Sequence, residues 1–182
     1  MYTGHLYAGR GMEILLNLAQ AHPRVNFLWV GGRAGDVAAW RAKVQDLGLQ
    51  NIHLTGFVPN VHIPIYQAAG DILLMPYERS VAVSGGGNTA DICSPMKMFE
   101  YLACGRAILS SDLPVLREVL NESNAVLVQP EDLHGWQAAL ARLAVDEAMR
   151  GRLGAQAKVD ILPYAWQTRA LRCLEGIRPA GK

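Results

Sequence analysis

Short apolar runs alternate with longer stretches of helical period along most of this chain. VNFLWV (25–30), NIHLT (51–55), DILLMP (71–76), AILSS (107–111) and AVLVQ (125–129) are almost continuously apolar or β-prone, as strands covered on both faces must be. With residues 1–6 they make about six predicted strands. Between them, apolar positions recur at three- and four-residue intervals, which predicts helices near 10–21, 36–47, 61–69, 95–104, 113–121 and 132–144. Strands and helices in strict alternation imply an α/β domain, a doubly wound parallel sheet with helices on both faces. Two more helical stretches follow, near 146–157 and 166–177, and Pro163 keeps them from fusing.

In such sheets ligands bind beyond the carboxyl ends of the strands, where loops enter helices. The loops that matter are therefore 4–11, 31–36, 56–60, 77–94 and 111–113. The longest carries Gly85, Gly86 and Gly87 in a row and reads as a lid or clamp, a plain surface connection being the alternative. It runs into CSPMKMFEYLACG (93–105), where Pro95 stands in the first turn of a predicted helix and Ser94 is the candidate cap. The free N–H groups of such a helix start attract anions. Helical spacing sets Lys97, Glu100, Tyr101 and Cys104 on one face and leaves Met98, Phe99, Leu102 and Ala103 for packing. Lys97 and Glu100 are equally readable as an exposed helix pair of small energetic value.

The first loop, GHLYAGRG, has glycines at 4, 9 and 11 and nearly spells a phosphate loop of nucleotide triphosphatases. It fails at both decisive positions, with Arg10 for the lysine and Gly11 for the hydroxyl residue. No G-x-G-x-x-G is present, and the second strand ends in Gly31 and Gly32 rather than an acidic ribose ligand, which argues against a dinucleotide oxidoreductase. What remains is a glycine-permitted close approach with Arg10 beside it, able to grip phosphate oxygens with two prongs. On spacing alone Arg10 reads equally as a solvated surface arginine.

Composition narrows the partners. The 182 residues suit one domain, 51% are hydrophobic and 18% charged, and the formal net charge is +1. A phosphate-backbone binder needs a concentrated basic surplus, so nucleic acid is not expected. Cys93, Cys104 and Cys173 and the five histidines lack metal-ligand spacing, and no metal is expected. No apolar run is long enough to span a bilayer, and the start lacks the pattern of a signal peptide, so the expected location is the cytoplasm.

Several segments in order, YTGHLYAGRGMEILL, FLWVGG, IHLTGFVPNVHIPIYQAAGDILLMPY and SPMKMFEYLACGRAILSSDLPVLREVL, resemble the C-terminal, nucleotide-sugar-binding half of the retaining GT-B glycosyltransferases, in particular family 4 (group 1). The resemblance covers roughly residues 1–175. It implies a Rossmann-like donor domain over residues 1–177, transfer of a sugar from a nucleoside diphosphate of UDP or GDP type, and no metal or other cofactor. The N-terminal acceptor-binding half is expected to be missing from these residues. The full-length enzyme is expected in the cytoplasm or peripheral to the inner face of the membrane.

By the same resemblance Glu100 takes the ribose hydroxyls, and Ser94, Pro95 and Met96 fall where backbone contacts to phosphate and sugar lie. The family's first-loop arginine and lysine map onto Gly4-His5-Leu6 and Ala8-Gly9-Arg10-Gly11, so that His5 and Arg10 replace them, and Lys97 adds charge. The GFVP turn matches the segment bordering the base, with Phe57 and Val58 as candidates. The family's further glutamate, usually near the transferred sugar, is absent: Ile92 stands at its position, with Asp91 beside it. No catalytic residue is thereby assigned. An epimerase of the same fold, and a noncatalytic nucleotide- or partner-binding domain, are the alternatives.

Overall fold

The computed structural model describes residues 1–79 and 95–174. Strands and helices alternate in the predicted order: β1 (Tyr2–Thr3), α1 (Met12–Ala21), β2 (Phe27–Val30), α2 (Ala34–Asp46), β3 (Ile52–Gly56), α3 (Ile63–Ala69), β4 (Ile72–Met75), α4 (Met96–Cys104), β5 (Ala107–Ser111), α5 (Pro114–Arg117) and β6 (Val126–Val128). Helices α6 (Leu133–Val145), α7 (Glu147–Asp160) and α8 (Trp166–Leu174) complete the described chain. The largest boundary differences are β1, predicted over six residues and formed by two, and α5, predicted over 113–121 and closing after four.

All strand pairs are parallel, but they form two three-stranded sheets, β1-β2-β3 and β4-β5-β6, rather than the single sheet of about six expected. The inner strands still touch: Met1 N donates to Ile72 O at 2.7 Å, and Leu74 N donates to Met1 O at 2.8 Å. In a parallel ladder the next rung would run from Thr3 N to the Leu74 carbonyl. Thr3 N donates instead to the Tyr101 hydroxyl, 2.9 Å away. A side chain from α4 thus takes the donor of the next rung, and Pro76, which has no N–H, cannot donate to the Thr3 carbonyl.

Alternation along the strands sorts the core into two layers. Tyr2, Phe27, Trp29, Ile72, Leu74 and Leu109 face one way, into a layer closed by α1 and α6. Val30, Leu73, Met75 and Ile108 face the other, against α4 and α5. Helices therefore cover both faces, and the loops at the carboxyl ends of the strands are left at one rim.

Glycine fixes one contact of that rim. Gly11 precedes α1 with φ 67°, and a Cβ there would lie 1.7 Å from the Pro76 carbonyl oxygen. Only glycine permits this approach. It brings the loop after β1 against the segment that follows β4, and so sets Arg10 beside Tyr77.

Candidate functional site

Arg10 is held by two phenols. Its Nη1 donates to the Tyr77 hydroxyl at 2.7 Å and its Nη2 to the Tyr7 hydroxyl at 2.8 Å, while its guanidinium carbon lies 5.1 Å from each ring centre. Nε is buried without a partner. Of five guanidinium N–H groups, two serve the tyrosines, and each terminal nitrogen keeps one more to offer an anion.

Lys97 also meets aromatic rings. Its Nζ lies 4.0 Å from the centre of the Tyr2 ring and 5.4 Å from that of Tyr77. Ammonium over an aromatic face contributes about 0.5–2 kcal/mol depending on desolvation. Burial pushes the Tyr2 phenol well above its ordinary pKa, so the ring stays neutral. Tyr77 thus has two cations near its ring, Arg10 at 5.1 Å and Lys97 at 5.4 Å from the centre. Gly4, at φ 133°, leaves room for the lysine: a Cβ there would sit 2.8 Å from Lys97 Nζ.

Glu100 lines one cleft with Lys97, Thr3, Gly4, Asn60 and Pro64, of about 310 Å³. Lys97 and Glu100 do not form the helix pair that stood as the alternative reading; the ion pairs among the described residues lie elsewhere. Glu100 Oε2 instead accepts a hydrogen bond from Gln67 Nε2 at 2.9 Å. A second cleft of about 410 Å³ lies on the other side of the Gly4–His5 step, lined by His5, Gly32, Arg33, Arg41 and Phe57. His5 is exposed and stacks on Tyr7 with centroids 5.2 Å apart. Partial burial, followed by the cations Arg10, Arg33 and Lys97, holds its imidazole below the ordinary pKa, with Asp36 opposing.

The remaining predicted residues divide. Phe57 is 81% exposed at the rim of the second cleft. Val58 packs against the core layer beneath α4. Pro95 is buried and stands at the cap position just before α4, not inside its first turn; with φ −72° and ψ 124° its extended backbone leads into the helix. Met96 opens the helix and is 57% exposed. Ser94, Asp91, Ile92 and the glycine-rich loop lie outside the described residues.

The predicted α4 face is only half right. Tyr101 is fully buried, because its hydroxyl completes the Thr3 contacts, and Ala103, assigned to packing, is exposed. The sequence reading missed Tyr7, Tyr77 and Gln67. Tyr7 was visible in the quoted first loop, three residues before Arg10. Gln67 had one signal, a lone amide in the apolar helix IPIYQAA.

Among the described residues, no group of acidic, histidine or cysteine side chains could hold a metal ion, and no helix is long and apolar enough to cross a membrane.

A parallel α/β domain that gathers two cations and a carboxylate at its carboxyl rim belongs, as a class, with anion- and nucleotide-binding domains. The model of glycosyl transferases group 1 matches residues 1–146, and the chain belongs to this family. A phosphatidyl-myo-inositol mannosyltransferase of Mycolicibacterium smegmatis is 28% identical over 180 residues, 94% of this chain and 43% of that protein. The chain thus spans less than half of that curated relative. Among solved structures, Anabaena HepE in complex with UDP and glucose matches with a TM-score of 0.73 at 20% identity, over 96% of this chain and 48% of that one. The C-terminal domain of a group 1 family glycosyl transferase from Francisella tularensis matches with a TM-score of 0.69 at 17% identity, over 91% and 84%. These two likenesses establish the fold.

Proposed function

We propose that this domain binds the nucleoside-diphosphate sugar of a retaining glycosyltransferase of the GT-B type, whose acceptor-binding half lies outside these residues. The observation that carries the reading is the pair of cations, Arg10 and Lys97, gathered at the Tyr77 ring at 5.1 and 5.4 Å from its centre, with Glu100 in the same cleft as Lys97. The diphosphate lies against Arg10, Lys97, His5 and the start of α4. Glu100 accepts from the ribose hydroxyls, and the base extends toward Phe57. That HepE was solved with UDP supports a nucleotide of this class.

In the reaction, the bond from the anomeric carbon to the diphosphate breaks and the diphosphate leaves with the electron pair. A bond forms from an acceptor hydroxyl oxygen to the same face of the sugar, and the hydroxyl proton passes to the departing diphosphate. Charge builds on the departing oxygens, and prepositioned Arg10 and Lys97 stabilise it without reorganising. Neither step is routed through a metal.

Calorimetric titration of the chain with UDP, GDP, ADP and the corresponding nucleosides tests this. One diphosphate is expected to bind preferentially, and Glu100→Ala to weaken it while the exposed position leaves the fold intact. The chain alone is expected to transfer no sugar, because holding an acceptor against the donor supplies up to about 7–11 kcal/mol of the barrier reduction. Transfer by these residues alone would overturn the half-enzyme reading, and equal, negligible binding across the panel would favour the noncatalytic one.

A further inference from the structure

We infer that Gln67 is a positioning residue for the nucleotide, fixing the Glu100 carboxylate so that one oxygen stays available for ribose hydroxyls; this rests on the donor-site reading above. Gln67 lies on α3, 1% exposed, in a helix whose neighbours Ile63, Pro64, Ile65 and Tyr66 are apolar or aromatic. A buried amide is costly unless its hydrogen bonds are satisfied. Here its polar atoms are all engaged.

Nε2 donates to Glu100 Oε2 at 2.9 Å and to Thr3 Oγ1 at 3.4 Å, and Oε1 accepts from Cys104 Sγ at 3.6 Å. The orientation of the amide is fixed by chemistry, since an ionised carboxylate can only accept and the thiol supplies a donor to the carbonyl. Thr3 in turn meets the Tyr101 hydroxyl, through both its Oγ1 at 3.1 Å and its backbone N at 2.9 Å. Gln67 therefore ties the end of β1 to the middle of α4.

The consequence falls on Glu100. A glutamate on an exposed helix face samples several rotamers, and ordering it on binding removes side-chain entropy. Gln67 removes that freedom beforehand with a neutral partner, so the carboxylate keeps its charge. Oε2 is occupied, and Oε1 remains for the 2′- and 3′-hydroxyls in the cleft that Glu100 lines. A cationic partner would have fixed the rotamer too, but would have competed with the ligand for the carboxylate.

The test is discrimination between ribose and deoxyribose. UDP and GDP are titrated, each beside its 2′,3′-dideoxy analogue, into the wild-type chain, Gln67→Met, Gln67→Leu and Glu100→Ala. Wild type is expected to prefer the ribonucleotide at least tenfold, and Glu100→Ala to abolish that preference. Gln67→Met is expected to lose at least fivefold of it while dideoxy affinity changes by less than twofold, a separation that a merely structural role would not give. Gln67→Leu, similar in size and with no donor at all, is expected to match it. Should both variants fail to fold, the wild-type Gln67 side-chain amide signals decide: they shift on adding the ribonucleotide and stay in place with the dideoxy analogue. Retained discrimination in a folded Gln67 variant, or amide signals that respond equally to both ligands, overturns the role of Gln67 alone. Retained discrimination in Glu100→Ala, or no binding of either nucleotide, overturns the ribose reading and this inference with it.

Discussion

Arg10 and Arg117 each follow a strand by a few residues, and the chain treats them in opposite ways. Arg117 is clasped by carboxylates: its fork binds both oxygens of Asp112, with Nη2 to Oδ2 at 2.9 Å, and its Nη1 reaches Glu122 at 2.9 Å. The hydrogen bond from Arg117 holds the Asp112 carboxyl below its usual pKa. Arg10 is clasped as firmly, but by two neutral phenols. Both arginines are positioned, yet only Arg117 is neutralised where it stands. Glu100, fixed by the amide of Gln67, follows the pattern of Arg10. Neutral partners fix geometry while leaving charge for a ligand, and they separate a binding residue from a surface ion pair that contributes little.

The largest way to break this contrast is to remove the platform beneath Arg10. In Gly11→Ala the new Cβ would meet the Pro76 carbonyl at 1.7 Å on a backbone at φ 67°. A non-glycine residue held at such φ costs about 1–3 kcal/mol, and overpacking typically adds about 1–3 kcal/mol. Urea denaturation is expected to show a lowered midpoint. An unchanged midpoint would mean that the loop moves freely away from the segment after β4, and with it the Tyr77 contact.

The next effect separates the two arginines. Arg10→Ala is expected to weaken a nucleoside diphosphate by about 1.5–3 kcal/mol, the range for a hydrogen bond to a charged group, with a much smaller effect on the matching nucleoside. Arg117→Ala is expected to leave both ligands within twofold of wild type. Calorimetry on the four combinations checks this. Equal losses for diphosphate and nucleoside in Arg10→Ala would make Arg10 a packing residue, and a diphosphate-specific loss in Arg117→Ala would erase the distinction.

Periodicity disclosed the layers because burial repeats every two residues in a strand and every three or four in a helix. Pairings at long range leave no such trace. Tyr101 sits at helical spacing from Lys97 and Cys104 and was grouped with their face, yet it is buried because Thr3, 98 positions earlier, needs its hydroxyl. The same contact takes Thr3 N away from β4, and Pro76, without an N–H, has nothing to donate back to Thr3. Arg10, Lys97 and Glu100 stood out because charges at loop ends and helix starts carry chemistry. Their neutral holders did not: Tyr77 is 67 positions from Arg10, and Gln67 is 33 from Glu100.

The smallest expected effect concerns His5, which stands where the family resemblance expects an arginine. In the free chain, partial burial and the nearby cations Arg10, Arg33 and Lys97 depress its pKa, with Asp36 opposing and the Tyr7 ring stacked beside it. The sign of the linkage follows. A depressed histidine pKa means that the unfolded chain binds the proton more readily, so stability is lost as pH falls through the ordinary value near 6.5 toward the folded one. A diphosphate reverses the local field and raises the pKa, so binding takes up protons and affinity grows as pH falls from about 8 toward 6. One unit of pKa change corresponds to about tenfold in affinity, and for an exposed imidazole the gain is expected to be a few-fold. The nucleotide's own terminal phosphate titrates nearby, so the measurement is the difference between wild type and His5→Gln, titrated in buffers of unequal ionisation enthalpy. Wild type is expected to take up a larger fraction of a proton than the variant near pH 6.5, where an arginine at that position would take up none. Identical proton uptake in both would remove His5 from the diphosphate and leave the anion to Arg10, Lys97 and the helix start.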